Sequence, residues 1–177
     1  IRHLYSVVMS LLVVLCGSSC RDQQLPPVQR FTYQIDSTIV VPPADSGAEQ
    51  DPVFEASFSA KGADKLEERS LTTEAIKDVN LDSAVMIQRD SIGFSWLSEV
   101  EIRIQASSLA RRVIAEKGQI PADSLNKLKP AAGRTNLVSY FQRPAFGISV
   151  ATHQRRETTK AIPVFLTLYF SFRYEGD

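Results

Sequence analysis

Apolar residues recur at every second position in several stretches of the chain, which is the period of a strand buried on one face. Phe31, Tyr33, Ile35, Ile39 and Val41 share one parity, interrupted only at Ser37, and the run stops at Pro42-Pro43 and a polar loop over 44–51. Phe54, Ala56, Phe58 and Ala60 form a second set, and Val79, Leu81, Val85 and Ile87, broken at Ser83, a third. Val100, Ile102 and Ile104 alternate with Glu99, Glu101 and Arg103, and Phe146, Ile148 and Val150 follow the same period. The clearest run is the last, where Ile162, Val164, Leu166, Leu168, Phe170, Phe172 and Tyr174 occupy seven successive even positions. At about 3.3 Å per residue it predicts a strand of roughly 40 Å that bends or crosses the whole domain. Pro163 argues for an edge, or for a start at which the ladder needs no N–H.

Helical signals are brief. Residues 71–76 hold one turn with Thr72 as N-cap, and 94–97 and 136–141 hold others, each read as a plug at the mouth of a sheet. Residues 107–133 give the weakest pattern, with short strands expected around 113–116 and 125–128. Six to eight strands with little helix predict an all-β fold, an antiparallel β-sandwich, immunoglobulin-like or related, with short helical turns in the connections. A closed membrane barrel is the runner-up; it needs more strands of adequate length, and loops carrying Asp51, Asp64 and Asp90 interrupt any regular hairpin series.

The N-terminus departs from this alternation. Arg2 and His3 precede an apolar segment over 4–15, which ends in Gly17-Ser18-Ser19-Cys20. A positive start, a short apolar middle and small residues at the end are the three parts of a secretory signal. Spanning a bilayer as a helix takes about 20 apolar residues, so removal is the better reading than a retained anchor. Small residues followed directly by cysteine resemble the lipobox of bacterial lipoproteins. The resemblance implies that the Cys20 sulfur receives a diacylglycerol group, that a peptidase cuts between Ser19 and Cys20, and that the new amine is acylated. Gly17 stands where an apolar residue is usual, and Gly17 and Ser19 also suit ordinary signal peptidase, so plain secretion is the alternative. Cys16 fits less well, because bulky Leu15 would occupy the position that must be small.

The expected organisation is therefore a signal peptide over 1–19, a lipidated N-terminus and tether over 20–30 containing Pro26-Pro27, and one domain over 31–177. The start at Ile1 rather than methionine points to a truncated sequence or an unconventional start codon.

From Leu71 onward the order of features resembles a domain of uncharacterised envelope lipoproteins of Bacteroidota-type bacteria. The residues that carry it are 71–79, a strand over 94–104, a turn over 137–140 and closing strands over 146–174. This is a packing pattern without chemistry, and it implies a β-sandwich of unknown function and nothing more; the location expected for the whole chain is the cell envelope, lipid-anchored on the outer membrane.

Composition narrows the chemistry. The 20 basic residues balance the 20 acidic ones, so the gross basic excess of a nucleic-acid binder is missing and no nucleic-acid partner is expected. Cys16 and Cys20 are the only cysteines, and beyond them the chain can build neither an internal disulfide nor a cysteine-ligated metal site. Beyond the leader, His153 is the sole histidine, read as a solvated residue of a hairpin turn, since the sequence identifies neither a nucleophile nor an orienting acid for it.

Glu99 and Glu101 would project from one face of a strand, as paired glycosidase acids must, yet the same geometry arises whenever Val100 and Ile102 face a core. Asp36, Asp45, Asp78, Asp82 and Asp90 lack the spacing of a calcium loop, and Gly93, Gly118, Gly133 and Gly147 are isolated. Arg111-Arg112, Arg155-Arg156, Lys127 and Lys129 read as solvated faces. Trp96, between Phe94 and Leu97, reads as core or rim before a sugar platform.

No catalytic residue, metal ligand or cofactor is expected. The expectation is a non-enzymatic binding or structural module, with membrane lipid as partner through Cys20 and an envelope protein or glycan as a further partner. Two alternatives stand beside it: a pilus-like assembly subunit that exchanges its C-terminal strand, and a carbohydrate-active enzyme using Glu99 or Glu101.

Overall fold

A computed structural model of the chain describes residues 28–41, 43, 53–59, 72–89, 93–124, 126–155 and 158–175. Among the described residues, nine strands form two antiparallel sheets. In chain order these are β1 (Val28–Val41), β2 (Val53–Ser59), β3 (Ile76–Ile87), β4 (Leu97–Ala106), β5 (Leu109–Lys117), β6 (Lys127–Leu128), β7 (Ala131–Ala132), β8 (Ala145–Gln154) and β9 (Ile162–Glu175). One sheet has the order β1-β9-β3-β6 and the other β2-β8-β4-β5-β7. The chain pairs as a folded-over ribbon, β1 with β9, β2 with β8, β3 with β6 and β4 with β5. The ribbon is rolled up, so that β9 also meets β3 and β8 also meets β4. That is the jelly-roll form of a β-sandwich, among the related forms expected, rather than the immunoglobulin strand order.

The two inner faces share one core. Strand β9 lies at the centre of its sheet and buries Ile162, Val164, Leu166, Leu168, Phe170 and Phe172. Pro163 fits there because it is opposite Val40 of β1, while pairing with β3 begins only at Phe165. The missing N–H thus falls where β9 has a neighbour on one side alone. Pairing of β1 begins at Val28, three residues before the boundary expected at Phe31, because Val28, Gln29 and Arg30 continue the ladder to Glu175, Tyr174 and Arg173.

Strand β3 departs from simple alternation. Its register against β9 shifts between Ile76 and Asp78 and again between Leu81 and Ser83. Each extra residue inverts the parity that follows. Val79 and Leu81 therefore point inward, whereas Ala84 and Met86 take the inner face after the second bulge and Ile87 is exposed. The expected inward set of Val79, Leu81, Val85 and Ile87 is correct only for its first half. Strand β5 is bulged between the partners of Ile102 and Arg103, which buries the successive residues Ile114 and Ala115 and erases its period.

The helical turns are as short as expected. A 3-10 turn over Thr73–Ala75 follows Thr72, whose side chain makes no capping bond. The backbone N–H of Glu74 and the hydroxyls of Thr72 and Thr73 hold the exposed Glu74 carboxyl below its usual range. Residues 93–96 form a turn without helix, opened by Gly93 at φ 58°. Helix α1 (Val138–Phe141) is one turn long. Its Phe141 ring lies 4.6 Å from Phe146 of β8 and 5.1 Å from both Phe170 and Phe172 of β9, so it closes one mouth between the sheets. Asn136 fixes the approach, since its Oδ1 accepts the backbone N–H of Val79 at 3.1 Å and of Val138 at 3.0 Å.

Candidate functional site

Polar chemistry is concentrated on the two outer faces. On the five-stranded sheet, Glu99, Glu101 and Arg103 alternate outward from β4, as the inward burial of Val100, Ile102 and Ile104 requires. Strand β5 places Glu116 directly opposite Glu101. The three carboxylates border an open cleft of about 470 Å³, which Lys117 and Lys129 also line. Like charges facing each other across a ladder repel, and the two lysines offset that repulsion.

Glu101 is engaged within this face. Arg103 donates from Nε at 2.9 Å and from Nη2 at 2.5 Å to the same carboxylate oxygen. Glu99 is opposite His153 of β8. The structure thus brings Glu99 and Glu101 together on one face, and it adds Glu116 and Lys117, which the sequence did not single out. Glu116 could not be found from periodicity, because the β5 bulge sets which residue meets Glu101. Among the described residues no group of three or more His, Cys, Asp or Glu is placed to hold a metal ion.

The centre of the same face is built from small residues. Gly147, Ser149 and Ala151 of β8 stand opposite Gln105, Arg103 and Glu101. A Cβ on Gly147 would come within 3.3 Å of the Gln105 side chain, so glycine lets that side chain lie across the strand. Ser149 is buried here although it points outward, and its hydroxyl has no hydrogen-bond partner among the described residues. Long side chains of β4 in effect roof the small residues of β8.

On the four-stranded sheet, carboxylates of β1 and β3 flank hydroxyls of β9. Thr167 donates to Asp36 and Ser171 to Asp82, both at 2.7 Å, and Asn80 donates to Asp78 at 2.8 Å. These aspartates are strand residues in lateral hydrogen bonds and do not form a calcium loop; Asp45 and Asp90 lie outside the described residues. A second cleft, of about 480 Å³, opens between Asp36, Thr38, Ile87, Arg89 and Phe165. The Arg89 guanidinium sits 4.4 Å over the Phe165 ring.

The remaining candidates separate. His153 is on strand β8, and not in a turn, because β8 continues to Gln154 opposite Leu97. Arg111 donates to Gln105 at 3.0 Å near one end of β4. Arg155 donates to the Ile120 carbonyl, and its backbone N–H bonds to Trp96 at the other end, so Arg111 and Arg155 form no common patch. Trp96 is 1% exposed and offers no ring face to a sugar. Ser19 and Cys20 lie outside the described residues.

No protein-family profile matches the chain, and no curated relative does. Among solved structures, the chain is similar to the decameric BFDV capsid protein, at 12% identity and a TM-score of 0.39, over 83% of this chain and 100% of that one. It is similar also to Desmodium yellow mottle tymovirus, at 12% identity and a TM-score of 0.33, over 86% and 90% of the two chains. Mud crab tombus-like virus matches at 9% identity and a TM-score of 0.30, over 93% and 98%. Likeness at these scores bears on neither activity nor partner, and the architecture rests on the strand order itself.

Proposed function

We propose that the chain is a lipid-anchored protein of a bacterial cell envelope, held at Cys20 on the outer membrane, whose β-sandwich is a non-enzymatic binding or structural module. The observation that carries the reading is a thiol set directly after Gly17-Ser18-Ser19 at the end of a short apolar segment, with no other cysteine anywhere beyond it. Each buried acyl methylene contributes about 0.8 kcal/mol, so two or three chains on Cys20 give lasting attachment. The module reading draws support from the outer faces, where Glu101, Asp36 and Asp82 are engaged by Arg103, Thr167 and Ser171. Such polar faces suit an envelope protein or glycan as partner.

The position of β9 favours a self-contained module over a strand-exchanging subunit, since both its sides are paired within the chain. The grip of Arg103 on Glu101 weighs against a glycosidase acid pair. Ordinary secretion is the second reading, because Gly17 and Ser19 also suit general signal peptidase.

Mass spectrometry of the mature N-terminus, after expression in a Gram-negative host, tests the proposal. The expected product begins at Cys20 and carries diacylglycerol and an N-acyl chain. An unmodified Cys20, or a Cys20→Ser chain that stays in the membrane fraction, overturns it.

A further inference from the structure

The outer face of the four-stranded sheet carries apolar residues at one end, where a solvated face normally turns polar side chains outward. Thr38, Phe165 and Ile87 stand in one row across β1, β9 and β3, and the row beside it places Asp36 opposite Thr167. Val40, opposite Pro163, extends the same face beyond Thr38. Val40 is 53% exposed and Ile87 37%, two of the three large apolar residues exposed among the described residues. The half-buried Phe165 ring lies in the central strand of this floor.

Polar groups of both signs flank the floor. The cleft there, of about 480 Å³, has the size of a small-molecule site and is lined by Asp36, Thr38, Ile87, Arg89, Phe165 and Thr167. The exposed Arg89 holds its guanidinium 4.4 Å over the Phe165 ring. That contact fixes where the cation sits, so less side-chain entropy is lost when its fork of N–H donors takes a pair of anionic oxygens. Across β9 from it, Asp36 accepts one hydrogen bond at each carboxylate oxygen, from Gln34 and from Thr167, both at 2.7 Å. An ionised carboxylate accepts about four, so Asp36 has capacity for further hydroxyl donors. Thr38 adds an exposed hydroxyl beside it.

We propose that this cleft binds an acidic sugar, a pyranose that carries a carboxylate. Arg89 takes the carboxylate as a bidentate pair, Asp36 and Thr38 take ring hydroxyls, and Phe165 and Ile87 meet the C–H face of the ring. A ligand with a single charge suits the cleft, because Asp36 repels a doubly charged phosphate more strongly than a monovalent carboxylate. Strands β1 and β3 stand about 9–10 Å apart on either side of β9, a span that a short chain of such sugars bridges from Arg89 to Asp36. The assignment rests on the binding-module reading and gives that module a ligand. It does not depend on acylation of Cys20: a failed titration removes the ligand and leaves the anchor, and an unmodified Cys20 does the reverse.

Isothermal titration calorimetry of the full chain, at low salt and in a detergent without sugar headgroups, tests the assignment. The probes are trimers of galacturonic acid and of glucuronic acid, with galactose and glucose trimers as neutral counterparts and triglutamate as an acid without hydroxyls. The wild type is expected to bind at least one uronic trimer at least tenfold more tightly than its neutral counterpart and than triglutamate. Arg89→Gln, at an exposed position, should abolish the gap between acidic and neutral sugars, with circular dichroism unchanged. Lys129→Gln, on the other sheet, should keep the gap. Saturable binding of neither uronic trimer up to about 10 mM overturns the proposal. So does a gap that survives Arg89→Gln, an equal loss in Lys129→Gln, or triglutamate binding as tightly as the sugars.

Discussion

The indole N–H of Trp96 donates to Gln88 Oε1 at 3.1 Å, and both side chains are fully buried. Gln88 follows β3 on the inner parity set by the second bulge, so an amide stands where an apolar residue would otherwise pack. Gln88→Leu leaves the indole N–H without its acceptor in a dry core and should cost about 1–3 kcal/mol. Denaturant unfolding monitored by tryptophan fluorescence reads this directly; an unchanged midpoint would show that the bond carries no stability.

Phe141 touches both sheets from a one-turn helix, against Phe146 on one side and Phe170 and Phe172 on the other. Truncation removes a buried ring and leaves a cavity at the mouth. Phe141→Ala is expected to destabilise the fold by about 3–5 kcal/mol, whereas Phe141→Leu should lose less. Equal losses for the two variants, measured by chemical denaturation, would contradict a packing role.

Two buried hydroxyls act in the opposite sense. Thr152, fully buried, and Ser149, 1% exposed, have no hydrogen-bond partner among the described residues. An unpaired buried hydroxyl costs free energy that an isosteric apolar group does not. Thr152→Val should therefore be neutral or stabilising by up to about 1 kcal/mol, with Ser149→Ala similar. A clear fall in thermal midpoint for either variant would reveal an unseen partner.

Strand β9 supplies the centre of its sheet, so deletion of residues 161–177 removes six core side chains at once. The truncated chain is expected to lose its β-sheet circular dichroism and its cooperative unfolding. A soluble, folded remainder that rebinds the added segment would instead support strand exchange between subunits.

Much of this architecture is legible in the sequence, and the part that is not has a specific cause. Alternation alone locates β1, β4, β8 and β9, because each buries its large apolar side chains mainly on a single parity. It fails where a bulge inverts that parity, as at residue 82 of β3, since one extra residue leaves composition unchanged while moving every later side chain to the other face. Strands of two residues, such as β6 and β7, have no period to read. The shared face of Glu99 and Glu101 follows from Val100 and Ile102, but the arrival of Glu116 opposite Glu101 depends on a register that only the folded sheet fixes. Alternation places His153 in a turn because the apolar run ends at Val150, whereas Thr152 extends the strand with a polar residue on the inner face.

The central claim concerns Cys20, and metabolic labelling with an alkyne analogue of palmitate tests it most directly. In a Gram-negative host the wild type and Cys16→Ser are predicted to incorporate label and to fractionate with the outer membrane, while Cys20→Ser incorporates none and leaves it. Label retained by Cys20→Ser, or missing from the wild type, would contradict the account.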